Sequence, residues 1–185
     1  MRAHVSHDLY TLPSDLPEPV DDGAADHLTG LELPELELES SRGDVNVREL
    51  EVLYIYPRTG RPGEAPIRGW DETPGARGCT PHSCGFRDAY GELRALGKRV
   101  GGLSTQSLED QIEFAERSGM PFPVISDPDR ELGAALGLPT FEIQGQVLYK
   151  RLALFADRGR IVKTFYPVFP PDKNAADVLR WLRER

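Results

Sequence analysis

Apolar and polar residues are arranged in different ways along this chain, and each arrangement predicts a type of element. Residues 31–40 alternate apolar with acidic side chains, which predicts an edge strand or a hairpin. Residues 50–57 form an apolar run that ends at a proline, as expected of a buried strand. From Cys79 onward, apolar residues recur at helical spacing, and Pro81 suits a first helical turn. The pattern therefore changes from strand to helix across residues 58–78.

The rest of the chain alternates between predicted strands and helices. These elements are a strand at 98–106, a helix at 107–119, a strand at 122–128, a short helix at 129–138, a strand pair at 147–157 and 160–168, and a final amphipathic helix at 172–185. Ser107 can cap the second helix and Gly119 can end it. Because strands that alternate with helices imply a parallel core, the predicted fold is α/β, with a central mixed β-sheet flanked by helices on both faces.

The segment between the first long strand and the first helix, residues 58–78, is rich in Gly and Pro and has no clear periodicity. Loops longer than ~12–15 residues without structure of their own are usually functional or disordered. In open α/β sheets, binding sites form where a strand ends and a helix begins. The loop therefore predicts a functional site at its end, next to Cys79.

Charge divides the chain into two parts. The length of 185 residues fits one domain. Residues 1–40 hold ten of the 30 acidic residues and one of the 22 basic residues, so the remainder is nearly neutral. No basic stripe suggests a nucleic-acid partner. We therefore interpret residues 1–30 as an acidic N-terminal extension and 31–185 as the folded domain. The extension is either a solvated leader or an arm that wraps the domain through apolar residues, namely Leu9, Tyr10, Leu12 and Leu16.

The hydropathy pattern also bears on location. No apolar run approaches the ~18 residues of a transmembrane helix, and the N-terminus lacks the apolar core of a signal peptide. These features predict a cytoplasmic protein with no membrane partner. In a reducing cytosol, a cysteine pair is more often catalytic or metal-binding than a permanent disulfide.

The chain has two cysteines, Cys79 and Cys84, both near the predicted start of the helix. The thiolate is the reactive form of cysteine. A helix N-terminus favours the thiolate, because it presents unpaired N–H groups and a partial positive charge. Arg77 adds a full positive charge nearby. Cys79 is therefore the candidate nucleophile.

Cys84 lies too far along an ideal helix to bond Cys79 directly. Their Cα atoms would be about 8–9 Å apart, whereas a disulfide requires less than ~7 Å. The two sulfurs can bond only if the first turn unwinds, and Gly85 makes that turn easier to melt. The spacing predicts a cycle in which Cys79 becomes a sulfenic acid and Cys84 condenses with it to a disulfide. An outside dithiol then reduces the disulfide by exchange.

Three other interpretations of the pair remain open. A structural disulfide is disfavoured by compartment and spacing. A metal site could combine Cys79, Cys84 and His82, although zinc sites usually have four ligands and closer cysteines. The two cysteines could also be inert and buried. The spacing excludes a C-x-x-C oxidoreductase.

The segment "GCTPHSCGFRD" resembles the active-site segment of the peroxiredoxins, specifically the bacterioferritin-comigratory or peroxiredoxin Q subfamily. The resemblance runs from about Leu31 to the C-terminus and includes "VLYIYP" and residues 100–138. It implies a thioredoxin-like fold and a thiol peroxidase acting on hydrogen peroxide or alkyl hydroperoxides. It also implies that Cys79 is the peroxidatic and Cys84 the resolving cysteine, with thioredoxin or a similar dithiol protein as reductant. A monomer without metal or other cofactor is expected.

Two further residues follow from the resemblance. The family has an arginine on a late strand, and Arg151 in "KRLALFADRGRI" matches it, which implies that Arg151 holds the thiolate and polarises the peroxide. Family members also show Pro-x-x-x-Thr-x-x-Cys, but Glu72 and Ala76 occupy the Pro and Thr positions here. Thr73 lies three residues too early, so an insertion before the cysteine is implied. Thr73 is the candidate to orient the peroxide.

A function of another class is also compatible with these residues. The same fold could serve as a thiol redox sensor or a metal-binding adaptor, with residues 58–78 as a docking loop. Stoichiometric metal binding would favour the adaptor, whereas repeated turnover with a dithiol reductant would favour the peroxidase.

Overall fold

The computed structural model describes residues 8–185. Its helices are α1 (Cys79–Ala95), α2 (Leu108–Ser118), α3 (Glu131–Leu136) and α4 (Asn174–Glu184). Its strands are β1 (Glu37–Leu38), β2 (Val45–Asn46), β3 (Val52–Ile55), β4 (Val100–Ser104), β5 (Val124–Ser126), β6 (Thr140–Ile143), β7 (Gln146–Tyr149), β8 (Leu152–Asp157) and β9 (Arg160–Phe165). None of the helices within the described part of the chain is both long and apolar enough to cross a membrane.

The central sheet has five strands in the order β5-β4-β3-β8-β9. Strands β3, β4 and β5 run parallel to one another, while β8 is antiparallel to both β3 and β9. The predicted central mixed sheet is therefore confirmed. Two short antiparallel pairs, β1–β2 and β6–β7, lie outside it.

Strand β3 is buried on both faces, and its side chains alternate between two apolar cores. Val52 and Tyr54 pack with residues of α1, α2 and α4 on one face. Leu53 and Ile55 pack on the other face with α3 and with apolar residues from the segment 25–50. Successive side chains of a strand point to opposite faces, so the continuous apolar run seen in the sequence follows directly. Helices cover both faces, as predicted.

The predicted single strand at 147–157 is wrong. Strand β7 ends at Tyr149 and pairs with β6, whereas β8 begins at Leu152 and joins the central sheet. The chain has to change direction between the two strands because they belong to different sheets. Arg151 lies at this break and is only 3% exposed. The break therefore positions a buried arginine at the end of a central strand.

Helix α1 starts at Cys79, as predicted, and its start is closely packed. Gly78 caps the helix at φ 109°, in the left-handed region that glycine tolerates. A Cβ at this position would lie 2.7 Å from Pro171 Cγ and 2.9 Å from Leu12 Cδ2. Residues 58–78, all of which are described, contain turns but no strand or helix. Glycine at 78 is thus required both by the backbone and by its neighbours.

The described part of the N-terminal arm lies on the domain. Leu28 is fully buried in the core on the α3 face. Gly30 N–H donates to Ile161 O at 2.8 Å, and Leu33 N–H donates to Gly159 O at 2.7 Å, so this stretch pairs with the edge of β9. Further upstream, Leu9 packs against Gly60 in the 58–78 loop, and Leu12 packs against Gly78 at the start of α1. These contacts match the interpretation of a wrapping arm, while the division of the chain at residue 30 stays a prediction.

Candidate active site

Cys79 is the first residue of α1 and is only 4% exposed. Two donors point at its sulfur: Arg151 Nη2 at 3.1 Å and the backbone N–H of Arg58 at 3.4 Å. Donors fixed in place around a sulfur stabilise the thiolate more than the thiol, because charge-assisted hydrogen bonds are the stronger ones. The tertiary structure therefore adds a cation and an amide to the helix N-terminus at this residue.

Arg151 is held by acceptors on several sides. Its Nη2 donates to Ala76 O at 2.9 Å as well as to Cys79 Sγ. Its Nη1 lies 2.9 Å from His82 Nδ1. No acidic side chain is among these contacts, so the guanidinium charge is directed at the Cys79 sulfur rather than neutralised by a carboxylate. The planar fork holds its donors in a fixed geometry, whereas the donors of a lysine ammonium rotate at the end of a flexible chain.

His82 is fully buried and links Arg151 to α4. Its Nε2 lies 2.7 Å from Asn174 Oδ1, while its Nδ1 faces Arg151. Since arginine can only donate, Nδ1 accepts, and Nε2 then carries the proton that is donated to Asn174. Burial lowers the pKa of His82 well below its usual value, and the Arg151 charge lowers it further. A neutral ring thus serves as a fixed acceptor for the arginine.

Cys84 lies on the same helix in a different environment. It is half-buried, and burial raises the pKa of its thiol above the ordinary value, although the nearby charges of Arg87 and Arg117 act in the opposite direction. Both cysteines are free thiols. Arg87 also ties α1 to the end of α2, because its Nη1 donates to Ser118 O at 2.8 Å. That contact joins two helices and does not involve Cys79.

A cavity of about 180 Å³ opens over Cys79. Its wall contains both polar and apolar residues. The apolar ones include Ile67 and Trp70, and the polar and charged ones include Arg58, Thr59, Arg61, Glu64, Gln106, Asp110 and Glu113. A single bound water needs only ~10–15 Å³ of such space. The cavity therefore has room for a molecule larger than hydrogen peroxide next to the sulfur.

Thr73 is not brought to this cavity. Its hydroxyl donates to Gly69 O at 2.7 Å. Thr73 lines a second cavity of about 260 Å³, which Arg151 also lines. Another threonine, Thr59, lies in the wall of the Cys79 cavity and is 5% exposed. Its N–H and hydroxyl both donate to Gln106 Oε1, at 3.0 Å and 3.2 Å. The structure thus brings Cys79, Arg151 and Thr59 together, and leaves Thr73 outside.

Sequence reasoning missed Thr59 because it counted backward from Cys79. The loop at 58–78 is long, so residue spacing from the cysteine says little about which residues return to it. Counting forward from the end of β3 reaches Pro57, Arg58 and Thr59 directly, and these positions are fixed by the sheet. Asn174 and the acceptor role of His82 had no sequence signal, since they depend on how α4 packs on α1.

The metal interpretation finds no support in the geometry. Both ring nitrogens of His82 are engaged, by Arg151 and by Asn174, so neither is free to ligate a metal. Within residues 8–185, no three side chains of His, Cys, Asp or Glu form a group that could hold a metal ion.

Comparison with known proteins identifies the family. The family model described as Redoxin matches residues 33–179. The chloroplastic peroxiredoxin Q of Gentiana triflora is 26% identical, over 95% of this chain and 78% of that protein. The putative peroxiredoxin bcp of Coxiella burnetii is 28% identical, over 69% of this chain and 77% of that protein. The chain spans 62% of the length of the chloroplastic peroxiredoxin Q of Sedum lineare, at 28% identity and over 71% of this chain.

Solved structures agree with the sequence matches. The peroxidoxin BcpB of Mycobacterium tuberculosis superposes with a TM-score of 0.66 at 25% identity, covering 84% of this chain and 96% of that one. Peroxiredoxin Q of Xanthomonas campestris superposes with a TM-score of 0.65 at 26% identity, with the same coverage of both chains. The shared architecture is the predicted thioredoxin-like α/β fold. The chain belongs to the Redoxin family, as a peroxiredoxin of the bacterioferritin-comigratory or Q type.

Proposed function

We propose that this protein is a thiol peroxidase that reduces hydrogen peroxide and organic hydroperoxides through Cys79. The observation that carries the proposal is the contact of 3.1 Å between Arg151 Nη2 and Cys79 Sγ, at the N-terminus of α1 and at the wall of a cavity. A thiolate held in this way is a nucleophile, and the same guanidinium can stabilise negative charge on a departing oxygen.

In the first step, the Cys79 thiolate attacks the terminal oxygen of the hydroperoxide. A sulfur–oxygen bond forms, the O–O bond breaks, and its electron pair leaves with the other oxygen. That oxygen takes up a proton and departs as water or an alcohol. The sulfur is oxidised to a sulfenic acid and the peroxide is reduced. Arg151 and the Arg58 N–H lie next to the sulfur, where negative charge passes from the thiolate to the departing oxygen.

In the second step, Cys84 attacks the sulfenic sulfur, the S–O bond breaks and water leaves, which gives an intramolecular disulfide. Because both cysteines lie in α1, the first turns of this helix have to unwind. His82 lies between the two cysteines in sequence, so unwinding removes its contacts with Arg151 and Asn174. It also exposes Cys84 to water, which reverses the burial that raises the pKa of its thiol. The same motion thus delivers and activates the second cysteine.

In the third step, thioredoxin or a similar dithiol protein reduces the disulfide by thiol exchange. This atypical two-cysteine cycle takes place within one chain, so a monomer suffices. Free thiols at both positions are suited to a reducing compartment, and we propose a cytoplasmic location. No step of the cycle calls for a metal, haem or flavin.

Turnover of hydrogen peroxide with thioredoxin, thioredoxin reductase and NADPH tests the proposal. The wild type is expected to sustain NADPH oxidation. Cys79→Ser is expected to lose peroxide reduction by more than ~10³-fold, because the nucleophile itself is removed. Cys84→Ser is expected to retain the first reaction with peroxide, seen as one equivalent of sulfenic acid, and to form no intramolecular disulfide.

Two outcomes would contradict the proposal. Full activity in Cys79→Ser would exclude Cys79 as the nucleophile. A single stoichiometric burst in the wild type, with no further turnover by any dithiol reductant, would support the sensor function instead. The Cys84→Ser variant serves as the matched control, because it makes the same sulfur-to-oxygen replacement at another residue of the same helix.

A further inference from the structure

The N-terminal arm contributes to the Cys79 cavity. Leu9 and Thr11 line it together with residues of the 58–78 loop and of the start of α1. Both arm residues lie upstream of the segment 33–179 that the Redoxin model matches. A segment outside the family domain therefore forms part of the wall around the reactive sulfur.

Three contacts, two to the end of the 58–78 loop and one to α2, hold residues 8–12 of the arm in place. The carbonyl of Asp8 accepts from Arg77 Nη2 at 3.3 Å, just before the helix. The hydroxyl of Tyr10 accepts from Arg117 Nη1 at 3.3 Å, on α2. Leu12 packs over Gly78, where any side chain would collide with it. The arm is thus anchored on both sides of the residues that line the cavity.

Leu9 packs directly against the active-site loop. A Cβ placed on Gly60 would lie 2.7 Å from Leu9 Cδ2, so the leucine methyl rests on the loop backbone. In the wall of the same cavity, Ile67 and Trp70 supply further apolar surface, and Trp70 is 8% exposed. Donors from Arg58 and Arg151 surround the sulfur, and these apolar groups belong to the wall of the same cavity. Such a cavity favours a substrate with a polar reacting end and an apolar remainder.

We propose that Leu9 is a specificity-determining residue, and that it selects hydroperoxides with a bulky apolar substituent over hydrogen peroxide. This inference rests on the proposed peroxidase function of Cys79. The substituent lies between Leu9 of the arm and the apolar side chains of the loop, while the O–OH group meets Cys79 and Arg151. Hydrogen peroxide has no substituent and makes no use of this wall.

The experiment compares Leu9→Ala with the wild type in the full-length protein. It measures kcat/KM for cumene hydroperoxide and for hydrogen peroxide, with the same saturating reductant. Loss of apolar contact is expected to lower kcat/KM for cumene hydroperoxide by about tenfold, with a change of less than about twofold for hydrogen peroxide. Leu9→Met conserves apolar volume and is expected to restore most of the loss.

Val20→Ala is the matched control. Val20 belongs to the same arm, is 81% exposed, and lies outside the wall of the Cys79 cavity. Its substitution is expected to leave kcat/KM unchanged for both hydroperoxides. If Leu9→Ala lowered kcat/KM equally for both hydroperoxides, or left both unchanged, the inference would be overturned while the peroxidase function stood. If the wild type reduced neither hydroperoxide, the proposed function itself would fail.

Discussion

The two cysteines of α1 share one helix but not one environment. Cys79 is almost fully buried, lies at the helix N-terminus, and receives hydrogen bonds from Arg151 and from the Arg58 N–H. Cys84 is half-buried, lies beyond the first turn, and is not part of the described wall of the cavity. Burial raises the pKa of the Cys84 thiol. One thiol is thus surrounded by donors, and the other is held in its protonated form.

This difference shows that burial alone does not decide the chemistry of a thiol. Burial without donors penalises the thiolate, as at Cys84, whereas burial with a fixed guanidinium and an amide supplies stabilisation in place of water. The more buried sulfur is therefore the proposed nucleophile. Within the proposed cycle, Cys84 leaves its environment and reaches Cys79 only when the first turns of α1 unwind.

Arg151→Met is expected to have the largest effect on the difference in reactivity between the two cysteines. Methionine conserves much of the volume but removes the charge and the donors at Cys79. Removal of a preorganised donor lowers rates by about 10²–10³-fold, and we expect a loss of this size in the oxidation of Cys79 by peroxide. Stopped-flow fluorescence is a suitable measurement, because Trp70 lies in the same cavity.

Arg87→Met is the reciprocal control for that prediction. Arg87 lowers the pKa of Cys84 but makes no hydrogen bond to Cys79. Alkylation of Cys84 in a Cys79→Ser background should slow by a few-fold in this variant, since less thiolate is present, and should not change in Arg151→Met. A large effect of Arg87→Met on Cys79 oxidation would show that the two environments are not separate.

A smaller effect is expected from His82→Gln, which tests how Arg151 is held. The loss of one fixed acceptor is worth about 1–1.5 kcal/mol, or roughly a tenfold fall in the rate of Cys79 oxidation. The variant also changes the pH dependence of stability. The pKa of His82 is lowered in the folded protein, so below about 6.5 the unfolded chain binds a proton that the folded chain does not. The contribution of His82 to stability is therefore constant above that pH and falls below it, by up to about 1.4 kcal/mol per pH unit.

Urea unfolding between pH 5 and 8 measures this contribution of His82, as the difference in the free energy of unfolding between the variants. Below pH 6.5, the free energy of unfolding should change less steeply with pH in His82→Gln than in the wild type. His27→Gln is the matched control, because His27 is exposed and contacts only the Leu136 carbonyl among its hydrogen-bond partners in the described residues. Equal slopes in the wild type and His82→Gln would mean that His82 is protonated in both states.

The smallest expected effect separates the two threonines. Thr59→Val removes one of the two hydrogen bonds to Gln106 in the wall of the Cys79 cavity, and should lower kcat/KM for hydrogen peroxide by a few-fold. Thr73→Val should change kcat/KM by less than about twofold, because Thr73 lies in the other cavity. A larger loss in Thr73→Val than in Thr59→Val would show that Thr73 orients the peroxide after all.

Local patterns predicted most of the elements. The start of α1 at Cys79 and the cap of α2 at Ser107 follow from residue types at adjacent positions, and both agree with the structure. The break between β7 and β8 was missed, although Lys150 and Arg151 interrupt the apolar stretch from 147 to 157 at this point. Two charged residues do not by themselves indicate that the segments on either side pair with different sheets. Such a division depends on which distant strand offers the better partner.

The sequence by itself determined that two cysteines lie on one helix with a separation that forbids a disulfide in the folded state. Helical geometry converts residue spacing into distance over a few turns, so this result needs no other part of the chain. The tertiary structure decided which groups surround each sulfur. Arg151 is 72 residues from Cys79, and Asn174 is 92 residues from His82. Over such separations no local rule relates position to distance, and only the packing of β8, α4 and the N-terminal arm around α1 brings these groups together.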